Sequence, residues 1–311
     1  MEYILAIIIV SYKSDNLTIK YVKEEVSKIE ASHITIIVNN DATEKSDRNL
    51  AESLNGEIVY DTDKEIKNTT LNCFIISNSL NSGFARGNNL GALFAQKHFC
   101  PKYLLFSNND IEYETYNVVD VLTKKLEQAP NIGMIGPQIV GLDGKKQSPR
   151  PYYGFWEEML FVNLLTPILT DRQKNKFFQF DIAEKASEGV YQFISGAFFI
   201  MPSDVFFSCG MMDDNTFLYA EELILSERLK KIQKQVYYYP AVKVIHANRQ
   251  TTTKYMDNSK NAEVIFNSLC YYYKTYRDIS NFQIKTLKLL LAIKRCLKKV
   301  LINMRFTKTH E

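Results

Sequence analysis

Apolar residues in the first third of the chain follow two spacings, one typical of strands and one typical of helices. Short runs rich in β-branched residues are followed by segments whose apolar residues recur every three or four positions. Strands that are apolar throughout are buried on both faces, as in a parallel sheet with helices on each side. The predicted strands are 3–11, 34–39, 73–77 and 103–107, and the predicted helices are 16–29, 50–54 and 87–99.

The remainder of the chain is less regular. The Gly-Leu-Asp-Gly turn within 133–150 predicts a hairpin or an excursion across the sheet, whereas the aromatic segment 152–185 predicts a mobile covering loop. A strand is predicted at 190–201, and the small residues 195–197 inside it permit close approach of a ligand or another backbone. Shorter strands are predicted at 235–239 and 242–245.

Composition narrows the class of protein. The chain has 311 residues, 46% hydrophobic and 23% charged, which supplies a large core and excludes a disordered protein. A net charge of +3 gives no support for nucleic-acid binding. The apolar run 4–10 is too short to span a bilayer and follows Glu2, so we expect a buried strand and a cytoplasmic protein. Scattered cysteines without metal-ligand spacing indicate buried thiols in a reducing compartment.

The segment 103–110, Tyr-Leu-Leu-Phe-Ser-Asn-Asn-Asp, is an apolar strand that ends in two amides and a carboxylate. In open α/β sheets, ligands bind at the carboxyl ends of the strands. Asn108 and Asp110 are two residues apart, so both point to one side of an extended chain. Their oxygens suit Mg²⁺ or Mn²⁺ carrying a diphosphate. A strand that leads into a simple Asn/Asp turn is an equally good interpretation of this segment alone.

A second acidic site, Glu221 and Glu222, stands at the start of an apolar helical pattern formed by Leu223, Leu225 and Leu229. Adjacent carboxylates repel, which raises at least one pKa in a dry site and can produce a general base. Alternatively, the pair places favourable negative charge at a helix N-terminus. For an isolated Glu-Glu pair the second interpretation is the commoner one.

Seven blocks of sequence follow one another in a recognisable order. They are Ile-Val-Ser-Tyr at 9–12, Val-Asn-Asn-Asp at 38–41, the Gly- and Asn-rich block 81–89, Ser-Asn-Asn-Asp at 107–110, Ser-Gly-Ala at 195–197, the acidic block 217–228 and Val-Ile-His at 244–246. The ordered set resembles the family-2 inverting glycosyltransferases with the GT-A fold, close to bacterial rhamnosyltransferase-like members. The resemblance implies a Rossmann-like, mostly parallel central sheet with flanking helices and a C-terminal helical extension.

The resemblance also implies that different parts of the chain bind the donor and the acceptor. It predicts one GT-A domain over 1–280, with a nucleotide-sugar half at 1–110 and an acceptor half at 111–250, followed by a basic amphipathic helix at 281–311. Residues 108–110 take the place of the DxD-type motif, in which Asp110 ligates a divalent ion (Mg²⁺ or Mn²⁺) and His246 is the second protein contact. The polar residues 248–251 after this histidine would form an anion-facing loop.

Contacts to the sugar nucleotide are implied for a larger set of residues. Asn39 stands where the family usually has an aspartate that binds a pyrimidine, so the identity of the base stays open. The block 81–89 has an alternative interpretation as a helix-entry turn that Asn88 caps. The implied donor-binding residues are Ser11, Tyr12, Asn39, Asn81, Gly83, Phe84, Asn88, Asn108, Asn109 and Gly196.

The acidic pair aligns with the catalytic carboxylates of the family. Glu222 takes the position of the general base, and Glu221 is the second candidate. The implied reaction moves a sugar, with inversion, from a nucleotide diphosphate sugar to a hydroxyl of a glycan or lipid-linked glycan in bacterial surface polysaccharide synthesis. Family members commonly have a further aspartate two residues later, where this chain has Ile224. This departure keeps open a catalytically dead binding or scaffold protein.

Two other enzyme classes fit the sequence less well. A sugar nucleotidyltransferase shares the α/β sheet and a metal-bound diphosphate, although it needs a Gly-rich basic loop after the first strand, and 11–15 contains no Gly. A dinucleotide oxidoreductase is disfavoured because no GxGxxG motif follows a strand.

The C-terminal segment 281–311 is strongly basic. On a helical projection its apolar residues share one side and its basic residues the other, which fits an anionic membrane surface and peripheral attachment to the inner face of the cytoplasmic membrane. A helix packed on the domain or on a partner subunit explains the pattern nearly as well. The apolar set is Leu289, Leu290, Ile293, Leu297, Val300, Leu301 and Met304, and the basic set is Lys288, Lys294, Arg295, Lys298 and Lys299.

Overall fold

The computed structural model describes residues 4–66, 70–247 and 258–307, with side chains from 259 to 294 in the last of these ranges. Ten strands form one sheet, in the spatial order β3-β4-β2-β1-β5-β9-β7-β10-β6, and β8 pairs with β10 beside this path. The strands are β1 (Leu5–Ser11), β2 (His33–Asn40), β3 (Glu57–Val59), β4 (Cys73–Asn78), β5 (Tyr103–Ser107), β6 (Ile111–Tyr113), β7 (Ile132–Gly141), β8 (Gly189–Val190), β9 (Phe198–Pro202) and β10 (Gln235–His246).

Helices cover both faces of this sheet. They are α1 (Asp15–Glu24), α2 (Glu44–Leu54), α3 (Phe84–Phe99), α4 (Val118–Gln128), α5 (Val162–Leu165), α6 (Asp171–Phe178), α7 (Ile182–Lys185), α8 (Ser203–Ser208), α9 (Glu221–Lys231), α10 (Asn258–Tyr276) and α11 (Asn281–Thr307), with a 3-10 turn at Val26–Lys28 and a π-helical turn at Glu157–Phe161. In the part of the chain that the structure describes, every helix is too short or too polar to cross a bilayer.

The first half of the sheet is parallel, as the apolar runs predict. β3, β4, β2, β1 and β5 are neighbours in that order, and every pair among them is parallel. The register places Ser11 beside Asn39, Asn39 beside Ser77, and Ile9 beside Ser107. Because parallel strands end on the same edge, polar side chains collect at the carboxyl edge of an otherwise apolar sheet.

Residues of β1 point alternately to the two faces, as a pleated strand requires. Ile8 belongs to the buried cluster that includes Ala92 of α3, while Ile7 and Ile9 belong to the cluster that includes Leu122 of α4. All three isoleucines are fully buried. The predicted fold class, a mostly parallel central sheet flanked by helices with helices at the C-terminus, is confirmed.

The second half of the sheet is mixed. β9 runs antiparallel to both β5 and β7, β10 is parallel to β7, and β6 is antiparallel to β10. The predicted strands 235–239 and 242–245 are one strand, β10, interrupted by a register shift between Tyr239 and Lys243. The predicted strand 190–201 is divided between β8, which ends at Val190 and pairs with β10, and β9, which begins at Phe198 and pairs with β5.

The prediction of a mobile covering loop at 152–185 is wrong in its secondary structure. This segment contains the π-helical turn, α5, α6 and α7, and its aromatic residues include core positions. Phe155 and Met159 are buried with residues of α9, α10 and α11 in a group that we call the C-terminal cluster. Its members are Phe155, Met159, Ala220, Leu223, Ile224, Tyr272, Tyr273 and Leu287.

Candidate active site

Asp110 and His246 are brought together by strand pairing between distant parts of the chain. β6 begins directly after Asp110 and pairs with the end of β10, so that Ile111 lies opposite His246. The N–H of Ala247 donates to the carbonyl of Asp110 over 3.0 Å. As a result, His246 Nε2 lies 3.2 Å from Asp110 Oδ1 and 3.2 Å from Asn108 Nδ2. Asn108 and Asp110 thus face one side of the chain.

Gln147 sets the protonation pattern of the His246 ring. Its Oε1 lies 2.8 Å from His246 Nδ1, and because an amide oxygen only accepts hydrogen bonds, Nδ1 carries the proton. In the neutral ring, Nε2 then carries the lone pair, which accepts from Asn108 Nδ2 and lies 3.2 Å from Asp110 Oδ1. Two lone-pair donors 3.2 Å apart repel unless a proton or a cation is shared between them. The pair is therefore a candidate cation site, nearly buried at 12% and 10% side-chain exposure.

Glu222 is held by a backbone N–H two residues before the start of β9. The N–H of Gly196 donates to Glu222 Oε1 over 2.9 Å, and a Cβ on Gly196 would collide with the same carboxylate. The next residue, Ala197, accepts a hydrogen bond of 2.9 Å from the N–H of Asn108. Residues 196 and 197 therefore join the Glu222 carboxylate to the motif that ends in Asp110.

Glu221 lies beside Glu222 but in a dry environment. It is 3% exposed, and its Oε1 has no hydrogen-bond partner within the described residues. Phe84, Phe199 and Leu225 line the small cavity that both carboxylates share. Burial, followed by repulsion from Glu222, raises the pKa of Glu221 to about 8. The carboxyl group of Glu221 is thus protonated at neutral pH, although it stands in the first turn of α9.

We expect Glu221→Gln to stabilise the fold at high pH and to leave it unchanged at low pH. Since the pKa of Glu221 rises from 4.5 to about 8 on folding, the wild-type protein loses stability as the pH rises between these values. Glutamine cannot ionise, so the variant escapes this loss, which is on the order of 4 kcal/mol at pH 8. Urea unfolding at pH 5 and pH 8 measures the free energy of unfolding of both proteins. An equal gain in the variant at both pH values would contradict the burial of the Glu221 carboxyl group.

A turn before α3 approaches the same site from the other side. Gly83 has a φ of +87°, and a Cβ there would collide with the carbonyl of Phe217. That carbonyl accepts a hydrogen bond of 2.9 Å from the N–H of Phe84. Asn81 Oδ1 accepts from the N–H of Gly83 and from Asn40 Nδ2, over 3.1 and 3.0 Å. The turn is thus fixed against the segment that leads into α9 and the two carboxylates.

Comparison with solved structures identifies the architecture. GalNAc-T7 with UDP, GalNAc and Mn²⁺ matches with a TM-score of 0.57 at 13% identity, over 89% of this chain and 49% of that one. Mannosyltransferase PcManGT from Pyrobaculum calidifontis, in complex with GDP-Man and Mn²⁺, matches with a TM-score of 0.52 at 10% identity, over 81% of this chain and 59% of that one. The chain has the GT-A fold. No protein-family model and no curated protein sequence matches it.

This chain covers only part of the length of each neighbour, 49% of GalNAc-T7 and 59% of PcManGT. At these identities the likeness is one of fold. The bound nucleotide and metal ion belong to the neighbouring structures.

At the carboxyl edge of β1 and β2, the predicted donor-binding residues are engaged with the protein itself. Ser11 is fully buried and accepts a hydrogen bond of 2.8 Å from Thr18. Asn39 donates to Ser46 and to Asp47 over 3.0 and 2.7 Å. Tyr12, the next predicted residue, is half-buried beneath the ammonium group of Lys13.

Asp47 is a residue that the sequence analysis missed. It is 1% exposed on α2 and accepts from Ser77 over 2.6 Å as well as from Asn39. A carboxylate of α2 therefore contacts Asn39, the residue of β2 at which the resemblance expects an aspartate. Its position among the buried residues of α2 was the available signal, because a charged residue on the apolar side of a helix needs a partner.

Two of the predicted donor-binding amides have structural partners instead. Asn109 is 8% exposed and donates to Ser14 and Thr18 of the β1–α1 region, both over 2.8 Å. Asn88 donates to the carbonyl of Phe84, four residues earlier in α3, over 3.0 Å, and because Gly83 is the N-cap of this helix, the prediction that Asn88 caps it is wrong. These hydrogen bonds account for both amides within the protein, and a contact of Asn88 or Asn109 with a donor stays a prediction. The predicted anion-facing loop, 248–251, lies outside the described residues.

Proposed function

We propose that the protein is a metal-dependent, inverting glycosyltransferase that moves a sugar from a nucleotide diphosphate sugar to a hydroxyl acceptor. The observation that carries the proposal is the short connection between the two polar centres. Gly196 N–H binds Glu222, and Ala197 O binds the N–H of Asn108, two residues before Asp110. A carboxylate base and a candidate cation site are thereby fixed relative to each other, as a single displacement requires.

Asp110 and His246 are the residues that would hold the divalent ion, Mg²⁺ or Mn²⁺. Among the described residues, no three His, Cys, Asp or Glu side chains come together, so the protein offers two ligands and leaves the other positions to a ligand of the ion. Both structural neighbours are complexes with Mn²⁺. A divalent ion bound by these residues would supply positive charge against the charge that builds on a departing diphosphate.

Glu222 is the general base of the proposed reaction. Because Gly196 occupies Oε1, the other carboxylate oxygen is the one that accepts the acceptor hydroxyl proton. Glu221, which is protonated at neutral pH, adds no second negative charge beside it. The apolar side chains of Phe84 and Leu225 limit access of water to this end of the site.

The donor would extend along the carboxyl edge of the parallel strands. We assign its base end to the carboxyl edge of β1 and β2, where Tyr12 is the predicted contact that is only half-buried, and its diphosphate end to Asn108 and Asp110. In this assignment 1–110 is the nucleotide-sugar half and 111–250 the acceptor half of one domain over 1–280. The acceptor that we propose is a glycan or lipid-linked glycan in bacterial surface polysaccharide synthesis.

Gln147→Leu is expected to weaken metal binding without unfolding the protein. The hydrogen bond to Nδ1 keeps the lone pair on Nε2, beside Asp110, and loss of such a contact typically costs about 10–100-fold in metal affinity. Electron paramagnetic resonance of Mn²⁺ in the presence of UDP measures the affinity, and ¹⁵N NMR of His246 reports the tautomer. Gln147→Glu, which keeps an acceptor, is the matched control. Unchanged Mn²⁺ affinity together with an unchanged tautomer in Gln147→Leu would remove Gln147 from the account.

Titration calorimetry with uridine, thymidine and guanosine diphosphate sugars tests the proposed donor class. We expect one donor to bind in the presence of Mn²⁺ or Mg²⁺ and to lose most of its affinity when the ion is chelated. Binding of no donor under either condition would favour a protein that keeps the fold without the chemistry.

A further inference from the structure

Helix α11 is apolar on two opposite sides. Ile284, Leu287 and Leu291 pack into the C-terminal cluster or against it, which satisfies the expectation that the helix packs on the domain. Phe282, Leu289 and Ile293 lie on the opposite side, at 100° per residue, and are 77%, 62% and 47% exposed. Packing on the domain therefore accounts for only one of the two apolar sides.

A segment that contacts α11 also exposes apolar side chains. Phe161, Leu164 and Ile168 are 44%, 43% and 76% exposed, and Ile168 lies in the turn that follows α5. The two segments are in contact, because Lys294 donates to the carbonyl of Asn163 over 2.8 Å. Together they form what we call the outer apolar face, which consists of Phe161, Leu164, Ile168, Phe282, Leu289 and Ile293.

The borders of the outer apolar face are positively charged. Lys285 and Lys288 are exposed beside it, and Lys294 lies at the junction of the two segments. The sequence of α11, from 281 to 307, contains seven Lys or Arg residues and no Asp or Glu. Apolar side chains bordered by basic ones are typical of a surface that lies on anionic lipid.

We propose that the outer apolar face docks on an anionic lipid bilayer. A second copy of the chain is a less favourable partner, because a two-fold contact would place each basic α11 close to its own positive copy. A lipid surface accepts the apolar side chains between its headgroups while the lysines reach the phosphates. The positive charge around the outer apolar face thus favours binding to anionic lipid and disfavours contact with a second copy of the chain.

The docking direction has a consequence for catalysis that rests on the proposed function. Leu223 and Ile224 follow the two carboxylates on α9 and belong to the same C-terminal cluster as Leu287 of α11. One layer of packed side chains therefore connects the lipid-facing helix with the helix that carries Glu222. Docking would hold the acceptor half near the bilayer, which suits a hydroxyl acceptor that is anchored in lipid.

Binding to vesicles tests the proposal without any substrate. Full-length protein is sedimented with vesicles of equal parts phosphatidylglycerol and phosphatidylcholine, and with vesicles of phosphatidylcholine alone. We expect binding to the anionic vesicles only, weakened at least about tenfold by Leu289→Ser/Ile293→Ser. Leu80→Ser/Leu142→Ser, two substitutions at positions 74% and 69% exposed elsewhere, is the matched control and should bind like wild type.

A second pair of variants separates charge from apolar contact. Lys285→Glu/Lys288→Glu is expected to weaken binding by about 25-fold or more, since each basic residue near an anionic surface strengthens binding about fivefold. The control is Lys45→Glu/Lys124→Glu, which changes the net charge by the same amount at exposed positions on other helices. It should lose much less vesicle affinity than Lys285→Glu/Lys288→Glu. Circular dichroism checks that each variant is folded.

Several results would overturn the proposal. They are absence of binding by the wild type, equal binding to both vesicle types, and equal loss in the test and control variants. A stable dimer without lipid that Leu289→Ser/Ile293→Ser dissociates would make the face a subunit interface instead. Folded Glu222→Gln should bind vesicles like wild type, so that failure of docking and failure of the proposed catalysis are distinguished.

Discussion

Glu222→Gln is expected to lower the rate of sugar transfer by about 10²–10⁴ while donor affinity stays close to that of the wild type. The amide has the shape of the carboxylate, and its oxygen can still accept from the Gly196 N–H. It cannot accept the proton of the acceptor hydroxyl, so only the chemical step is affected. Initial rates of nucleoside diphosphate release and calorimetric donor binding measure the two quantities.

Glu221→Gln is the matched control for this prediction. Glu221 is already protonated at neutral pH, so its replacement by a neutral amide should change the rate far less. Full activity in a folded Glu222→Gln protein, with loss of activity in Glu221→Gln, would move the general base to Glu221. Loss of donor binding in Glu222→Gln would mean that the carboxylate organises the donor site.

Asp110→Ala is expected to abolish metal-dependent donor binding, with a loss of at least about 100-fold in donor affinity in Mn²⁺. Asp110 is the only carboxylate within hydrogen-bond distance of His246 among the described contacts, so no neighbour can replace it. Calorimetry with the donor in Mn²⁺ and in chelator measures the effect.

Asp143→Ala, an exposed carboxylate in the turn after β7, is the control for loss of one negative charge. Wild-type donor affinity in Asp110→Ala would contradict the proposed site. Equal loss in both variants would indicate a general effect of charge instead of coordination.

Local sequence signals locate four of the five strands in the parallel half of the fold and miss β3. β5 has the predicted bounds, 103–107, because an apolar run that stops in polar residues has only one way to be buried. α3 begins at Phe84, three residues before its predicted start, because Gly83 in the left-handed region ends the preceding turn. Propensity alone does not locate that start, since Gly87 and Gly91 lie inside the helix.

The pairing that builds the site is non-local and was invisible in the sequence. Nothing in residues 111–113 indicates that β6 would pair with β10, yet this pairing puts Asp110 beside His246. The link through Gly196 was signalled only by a run of small residues. No sequence pattern indicated Gln147, because its role depends on a contact with His246, which is distant in sequence.

The aromatic segment 152–185 shows a different limit of sequence reasoning. Its aromatic residues follow no regular period because some face the C-terminal cluster and others face outward. In α11, the predicted apolar residues Leu289, Leu290 and Ile293 lie on the exposed side, and the prediction missed a second, buried side formed by Ile284, Leu287 and Leu291. The predicted contributions of Leu297, Val300 and later residues lie outside the described side chains.

Time-resolved ¹H NMR of donor hydrolysis tests the central claim most directly, because it observes cleavage of the donor and the configuration of the released sugar together. The account predicts that one nucleotide diphosphate sugar is cleaved only with a divalent ion, and that the sugar first appears with the anomeric configuration opposite to that of the donor. Release with the same configuration would contradict a single displacement assisted by Glu222. Cleavage of no donor, with an intact fold, would contradict the enzyme itself.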